Sequence, residues 1–354
     1  MALRLENKRV FSIPAKLGFG FICLLTLVAI LGSLIRPDDS QFANDQQVAL
    51  ALSSPGFNVK CIQYKEAETQ SKLEMWYSGG RQIPKKWIPI ESFRETEDSV
   101  FCVVYNSGNE VLSEAKMNLE QLNNGNWVGA RSFLLGTDKY GRDVLSRLMS
   151  GISVSLLVGI IAVFISLLVG VPLGLLAGYY RGNVDAVIQF GIQVIWSIPT
   201  LLFVMAICVA FGNHLWVVFF GVGLTMWVEV ARVTRGQVLS IREKEYVAAA
   251  QIAGVSHFRI LFFHILPNAS APIIVMSASN FAAAILIEAG LSFLGLGIQM
   301  PQSSWGNMIR ESYAYITTDM AYLAVVPGVC IMLLVLSFMI IGNSLRDKFD
   351  VKSA

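Results

Sequence analysis

EKEYVAAAQIAGVSHFRILFFHILPN, residues 243–268, is a polar-edged segment set between long apolar runs. It reads as two short helices joined by a sharp turn. Residues 243–253 favour a helix, with Glu243 and Glu245 in the first turn and alanine throughout. Gly254 suits the left-handed residue that closes such a helix, and Ser256 suits the N-cap of the next. Pro267 has no N–H to donate, so it either stops the second helix or begins the one that follows. Ala248, Ala249 and Ala250 keep the first helix thin, so another surface can come close to its backbone. The segment is expected to be a cytoplasmic plug for a partner protein.

The apolar runs on either side set the solvent. Of 354 residues, 54% are hydrophobic and 15% charged, and the mean hydropathy is +0.57. Soluble chains carry nearer a quarter of their residues charged, so this composition is that of a membrane protein. A net charge of +2 without a basic tail is too small to point to a nucleic-acid partner, and none is expected. Cys23, Cys208 and Cys330 fall in apolar runs as small hydrophobes. Cys61 and Cys102 lie in the one large polar region, where an oxidising compartment would allow them to pair.

Residues 1–16 carry Arg4, Lys8, Arg9 and Lys16, and the apolar run at 17–35 is long enough to span a bilayer. The run is longer than a usual signal core and ends in Arg36-Pro37-Asp38 without an Ala-x-Ala site, so an uncleaved first helix is expected rather than a signal peptide. Residues 36–135 are polar, with an alternating run at 100–105 and turn signals at Ser78-Gly79-Gly80 and Asn123-Asn124-Gly125. A small mixed α/β unit is expected there. Beyond it, Tyr140 to Arg147 reads as a turn into an amphipathic helix, with Arg142 and Arg147 at headgroup level and Val144, Leu145 and Leu148 in the apolar boundary. Four stretches then lack Lys, Arg, Asp and Glu: 152–180, 186–228, 260–287 and 320–345. The second is too long for one span and is divided at Phe211-Gly212-Asn213-His214, giving six spans with the first helix. The fifth of these is expected to run from about Asn268 to Leu294. Placing the N-terminus inside puts Arg181, the basic residues of 232–259, and Arg346, Lys348 and Lys352 inside as well.

The Ala-rich helix, Gly254, and His264-Ile265-Leu266-Pro267-Asn268 together resemble the cytoplasmic loop of ABC-importer permeases. Ala248 stands at the motif's glutamate, with Glu245 three residues earlier, and His264 stands where isoleucine is common. Leu135-Gly136-Thr137-Asp138 through Arg147, then 288–297 (EAGLSFLGLG) and Ser304-Trp305-Gly306, are similar to the dipeptide/oligopeptide (and nickel) branch, second permease subunit. The resemblance implies an all-α polytopic membrane protein of the type I importer permease kind. It would have six transmembrane helices and a cytoplasmic coupling helix; the small mixed α/β extracytoplasmic insert is read from residues 36–135 themselves, of which the resemblance says little. Its parts would be 1–16 (cytoplasmic), 17–35 (first span), 36–135 (insert), 136–345 (permease core with the loop at 243–268) and 346–354 (cytoplasmic tail).

In that reading Glu245, Ala248, Ala249, Ala250, Gly254, Ser256, Leu266 and Pro267 couple to an ATPase. The implied partners are a homologous permease subunit, two ATPase subunits, an extracytoplasmic substrate-binding protein and membrane lipid. ATP and Mg would sit on the partner ATPases, with no cofactor on this chain. Consistent with this, no Gly-x-x-x-x-Gly-Lys-Ser/Thr loop and no His-Glu-x-x-His pair occurs in it. Glu288 and Ser292 are candidates for the translocation path, because a carboxylate within a span costs about 2.5–3.5 kcal/mol to insert. The direct reading of Gly290, Gly295 and Gly297 is close helix packing, that of Glu229, Arg232 and Arg235 is interfacial anchoring, and Pro172 and Pro199 are expected to kink spans. The cargo expected is peptide, with nickel or another small solute as the alternative. An ion-gradient transporter, or a sensor working through residues 36–135, are the rivals from other classes.

Overall fold

A computed structural model describes residues 12–350 apart from 66–69, 83–84, 97, 107–113, 120–121, 123–126 and 213. Arg4, Lys8, Arg9, the turn signal at Asn123-Asn124-Gly125, Asn213 and Lys352 lie outside the described residues. The chain divides into two compact units. The division falls within three long helices: α1 (Ile13–Ile35), α3 (Val144–Tyr180) and α11 (Tyr322–Asp350).

The unit made of Thr26–Val154 and Gln299–Gly328 holds the five strands found among the described residues: β1 (Phe57–Gln63), β2 (Trp87–Glu95), β3 (Ser99–Val104), β4 (Glu114–Asn118) and β5 (Val128–Phe133). They pair antiparallel in the order β4-β3-β2-β1-β5. Alternation supplies two apolar clusters. Ile62, Ile90, Val100, Cys102 and Met117 form one, and Val59, Cys61, Trp87, Phe133 and the preceding Leu50 form the other. Cys61 and Cys102 are both free thiols. The register explains why: Cys61 faces Pro89 and Cys102 faces Phe93, so they stand two strands apart and about 13 Å along β2. A disulfide needs Cα atoms within about 7 Å.

Helix α2 (Lys72–Tyr77) opens on a capping box in which Ser71 and Glu74 each accept the other's backbone N–H. Helix α10 (Trp305–Ser312) is capped by Ser304, which accepts from the Asn307 N–H at 3.2 Å. The Trp305 indole donates to the Leu148 carbonyl at 2.9 Å. Arg142 and Arg147 do not turn outward to headgroups. They are 1% and 3% exposed and share Asp138 and Glu311, at 2.6–2.8 Å. Burial without these carboxylates would leave two unpaired charges, which the amphipathic pattern alone could not anticipate.

The other unit takes the chain up to Leu25, Ser155–Ile298 and from Val329 onward. The stretch 186–228 is broken twice. It contains most of α4 (Gly182–Trp196), all of α5 (Thr200–Phe211) and the first half of α6 (Leu215–Arg242). The break at Gly212 is as expected. The one at Ser197-Ile198-Pro199 is a full interruption, with α4 and α5 bent by 82°. Five described helices are long and apolar enough to cross a membrane, or six if α4 and α5 form one broken span.

Helix α3 packs on α6 through Gly170, Gly174 and Gly178. A β-carbon on Gly174 would stand 2.6 Å from the Ala231 carbonyl, and one on Gly170 2.6 Å from that of Trp227. Trp227, Val228 and Ala231 of α6 then bury Ile192 of α4.

After α7 (Glu245–Ile252), the short α8 (His257–Arg259) passes through a π-helical segment, Ile260–Ile265, into α9 (Leu266–Phe293). Pro267 neither stops nor breaks this run. It occupies the first turn of α9, and the wider π turn just before it takes up the change in hydrogen-bond register. Gly295 is a helix stop, not a packing residue. At φ +83° it ends α9 in a Schellman motif, with the Leu296 N–H donating to the Leu291 carbonyl at 2.9 Å and its own to that of Ser292 at 3.1 Å.

Candidate functional site

The loop at 243–268 stands on a fixed apolar base. Leu175 and Tyr179 of α3, Val238 and Ile241 of α6, and Ile260, Leu261 and Ile265 of the π segment bury Val247 completely. Ala250 and Leu266 pack against the same cluster, so these two of the sequence-assigned coupling residues serve the base. Glu245, Ala248, Ala249, Gly254, Ser256 and Pro267 are exposed. The outward side of α7 therefore presents Ala248 and Ala249 among longer exposed side chains, Glu245, Tyr246, Gln251 and Ile252.

The turn after α7 is built as its residues dictate. Gly254 has φ +72°, where an L side chain is strained. The Gly254 N–H donates to the Gln251 carbonyl at 3.0 Å and the Val255 N–H to the Ala250 carbonyl at 3.1 Å, again a Schellman motif. Val255 then drops onto the buried base. Ser256 occupies the N-cap position of α8 but its side chain makes no capping hydrogen bond.

Polar ties hold the loop to the spans. The Tyr179 hydroxyl meets His257 Nδ1 at 2.7 Å, and Gln251 Nε2 donates to that hydroxyl at 3.4 Å. The Arg242 guanidinium lies over the Tyr179 ring at 5.5 Å. Arg181 pairs with Glu243 at 2.7 Å on the surface. Partial desolvation raises the Tyr246 phenol above its usual pKa.

The sequence reading missed the apolar side chains around this surface. Ile252 is 89% exposed, with Phe258 and Phe263 also out in solvent. Their signal was local: Ile252 falls five residues from the buried Val247, out of helical phase with it. Tyr179, 72 positions before Gln251, gave none.

The remaining candidates sit elsewhere. Glu288 and Ser292 are each 1% exposed, and the Ser292 hydroxyl donates to Glu288 Oε1 at 2.7 Å and accepts from the Ile298 N–H at 3.3 Å. They tie the last turn of α9 to the turn that follows it. Arg235 is not a simple interfacial anchor, since it grips Asp185 of α4 through two hydrogen bonds of 2.6 Å. Arg232 stacks on the Trp196 ring at 3.9 Å, and these residues with Glu229 and Gln189 line an open cavity of about 610 Å³.

Residues 170–351 match the family model of the binding-protein-dependent transport system inner membrane component. Three relatives show the same likeness. The chain is 40% identical over 217 residues to the dipeptide transport system permease protein DppC of Alkalihalophilus pseudofirmus, covering 61% of this chain and 71% of the relative. It is 39% identical over 225 residues to the di/tripeptide transport system permease protein DppC of Pseudomonas aeruginosa, covering 63% and 74%. The figure is 37% over 217 residues for the oligopeptide transport system permease protein OppC of Haemophilus influenzae, covering 61% and 70%. With a family match over just over half of its length and such relatives covered over more than two thirds of theirs, the chain belongs to the family of binding-protein-dependent transport system inner membrane components.

Proposed function

We propose that this chain is the transmembrane permease subunit of an ATP-driven ABC importer of dipeptides and oligopeptides. The cargo class follows the names of the three relatives, all of them permeases for peptides of two or more residues. The coupling role rests on one observation: a short helix that exposes Ala248 and Ala249, is seated on buried side chains of α3 and α6 and is closed by a left-handed glycine. Such a surface admits a close-fitting partner, and because its base is packed into the spans, a push on α7 moves them.

In this reading the six spans are α1, α3, the broken α4–α5 pair, α6, the α8–α9 run and α11. Both termini and the 243–268 loop are cytoplasmic, and the five-stranded sheet is an extracytoplasmic insert. The complex holds a second, homologous permease, two ATPase subunits carrying ATP and Mg, and an extracytoplasmic substrate-binding protein. Glu245, Ala248, Ala249, Gly254, Ser256 and Pro267 present the surface to the ATPase, with Ala250 and Leu266 bracing it from behind. The buried pairing of Glu288 with Ser292 supports a role in shaping the end of α9, from which the pair would act on the path indirectly.

The test places bulk on the surface and nowhere else. Ala249→Trp in the assembled transporter lowers peptide uptake at least about tenfold, equivalent to about 1.4 kcal/mol of lost contact. Leu202→Trp, an equal bulk on an exposed position of α5, leaves uptake unchanged. Uptake by Ala249→Trp at the parent rate would refute the coupling role, and is also what an ion-gradient transporter or a sensor would give.

A further inference from the structure

Helix α2 carries Leu73, Trp76 and Tyr77 at spacings that place them on one face. They are 78%, 46% and 90% exposed, while Met75 turns into the unit. A six-residue helix with three large apolar side chains in solvent is expensive to leave in water.

Its position says what covers it. The Trp76 indole N–H donates to the carbonyl of Ile30 in α1 at 2.6 Å. At the C-terminal end of α2, the Arg36 guanidinium donates to the Gly79 carbonyl at 2.8 Å and, by a shorter bond, to that of Ser40. Both ties lie at the C-terminal end of α2 and hold that end against the last turns of α1. Helix α1 is a candidate span with only 22% of its apolar window buried, and Leu27, Ile30 and Leu34 are exposed on it. If α1 crosses the bilayer, those side chains face lipid.

Ile30 lies five residues before the end of α1, about 7.5 Å down the helix. A helix of 23 residues is about 34 Å long against a hydrocarbon core of about 30 Å, which puts the Ile30 carbonyl about 5 Å below the polar boundary. That is the depth at which amphipathic helices lie and tryptophan and tyrosine collect.

We infer that α2 is an interfacial anchor: Leu73, Trp76 and Tyr77 enter the boundary between headgroups and acyl chains beside α1, and hold the five-stranded sheet to the phospholipid surface. The exposed face of α2 continues the lipid-facing surface of α1, and a phospholipid leaflet is the occupant both share. The inference does not depend on the cargo or on the coupling role of α7.

The experiment places the photocrosslinker p-benzoylphenylalanine at Tyr77, at Leu73, or at Arg94. The complete chain, in its assembled transporter, is reconstituted into vesicles of phosphatidylethanolamine and phosphatidylglycerol. Tyr77 and Leu73 are so exposed that the larger side chain displaces nothing. Arg94 is an exposed control seven residues along β2 from Trp87, about 23 Å away, where the Trp87 indole holds Asp45 at 2.6 Å. Irradiation gives phospholipid adducts, read as a mass increase of the intact chain, at Tyr77 and Leu73 and several-fold fewer at Arg94. Lipid adducts at Tyr77 no more frequent than at Arg94, or crosslinks from Tyr77 to protein alone, would overturn the anchor and indicate a protein-docking face.

Discussion

At Arg142 and Arg147 two guanidinium groups leave water together, and two carboxylates, Asp138 and Glu311, go with them. Asp138 was within reach of a sequence reading, four residues before Arg142. Glu311 was not, because 169 residues separate it from Arg142 and no periodicity relates the two. The amphipathic pattern therefore favoured headgroups, the usual place for arginine beside a span. Removing one member of such a cluster strands the others: Glu311→Ala is expected to destabilise the unit by about 3 kcal/mol. The check is the thermal unfolding midpoint of the detergent-solubilised chain, which falls for Glu311→Ala and stays put for Arg310→Ala, whose side chain is exposed. Equal midpoints would mean that the cluster adds nothing.

Helices α3 and α6 show how an element finds its neighbour. Gly170, Gly174 and Gly178 recur every four residues and so form one groove along α3. Into it fit Val230, Thr234 and Val238 of α6, themselves spaced by four, with backbone carbonyls of α6 in contact range of the missing β-carbons. The groove also sets the height of Tyr179 and Leu175, on which the 243–268 loop stands. Gly174→Leu is thus expected to push α3 from α6, at a cost above the 1–3 kcal/mol typical of overpacking because it meets backbone and not a flexible side chain. The measurement is the yield of folded chain and its unfolding midpoint beside Gly191→Leu, where a β-carbon meets open space. A Gly174→Leu variant as stable as Gly191→Leu would show that the two helices do not need this approach. The spacing is plain in the sequence, but the direct reading of glycine packing fell on Gly290, Gly295 and Gly297, of which Gly295 ends a helix instead.

The whole molecule is a multi-pass inner-membrane protein whose span count depends on one bend. If the α4–α5 pair crosses once, there are six spans and Lys16 shares a side with Lys348. If the pair does not cross, they lie on opposite sides. Cysteines at Lys16, Lys60, Ile252 and Lys348, all exposed positions, separate the cases with a membrane-impermeant maleimide. Lys60→Cys is labelled in intact spheroplasts, and the other three are labelled only after lysis. Labelling of Lys348→Cys from outside would sink the six-span topology. Cys61 and Cys102 are buried and add little background.

Sequence alone determined what is decided within a few residues or within one run. The apolar stretches leave water because of their own composition, Gly254 closes α7 because only glycine is at ease with positive φ, and the 100–105 alternation makes a half-buried strand. These are local free energies, written where they act. Tertiary structure decided what depends on meeting. It decided that Tyr179 reaches His257, that Glu311 joins the two arginines, that Cys61 and Cys102 stay apart, and that Trp76 lies against Ile30. Each concerns residues 41 to 169 positions apart, and the energy of a pair is fixed by distance in space, which hydropathy and helix spacing do not encode.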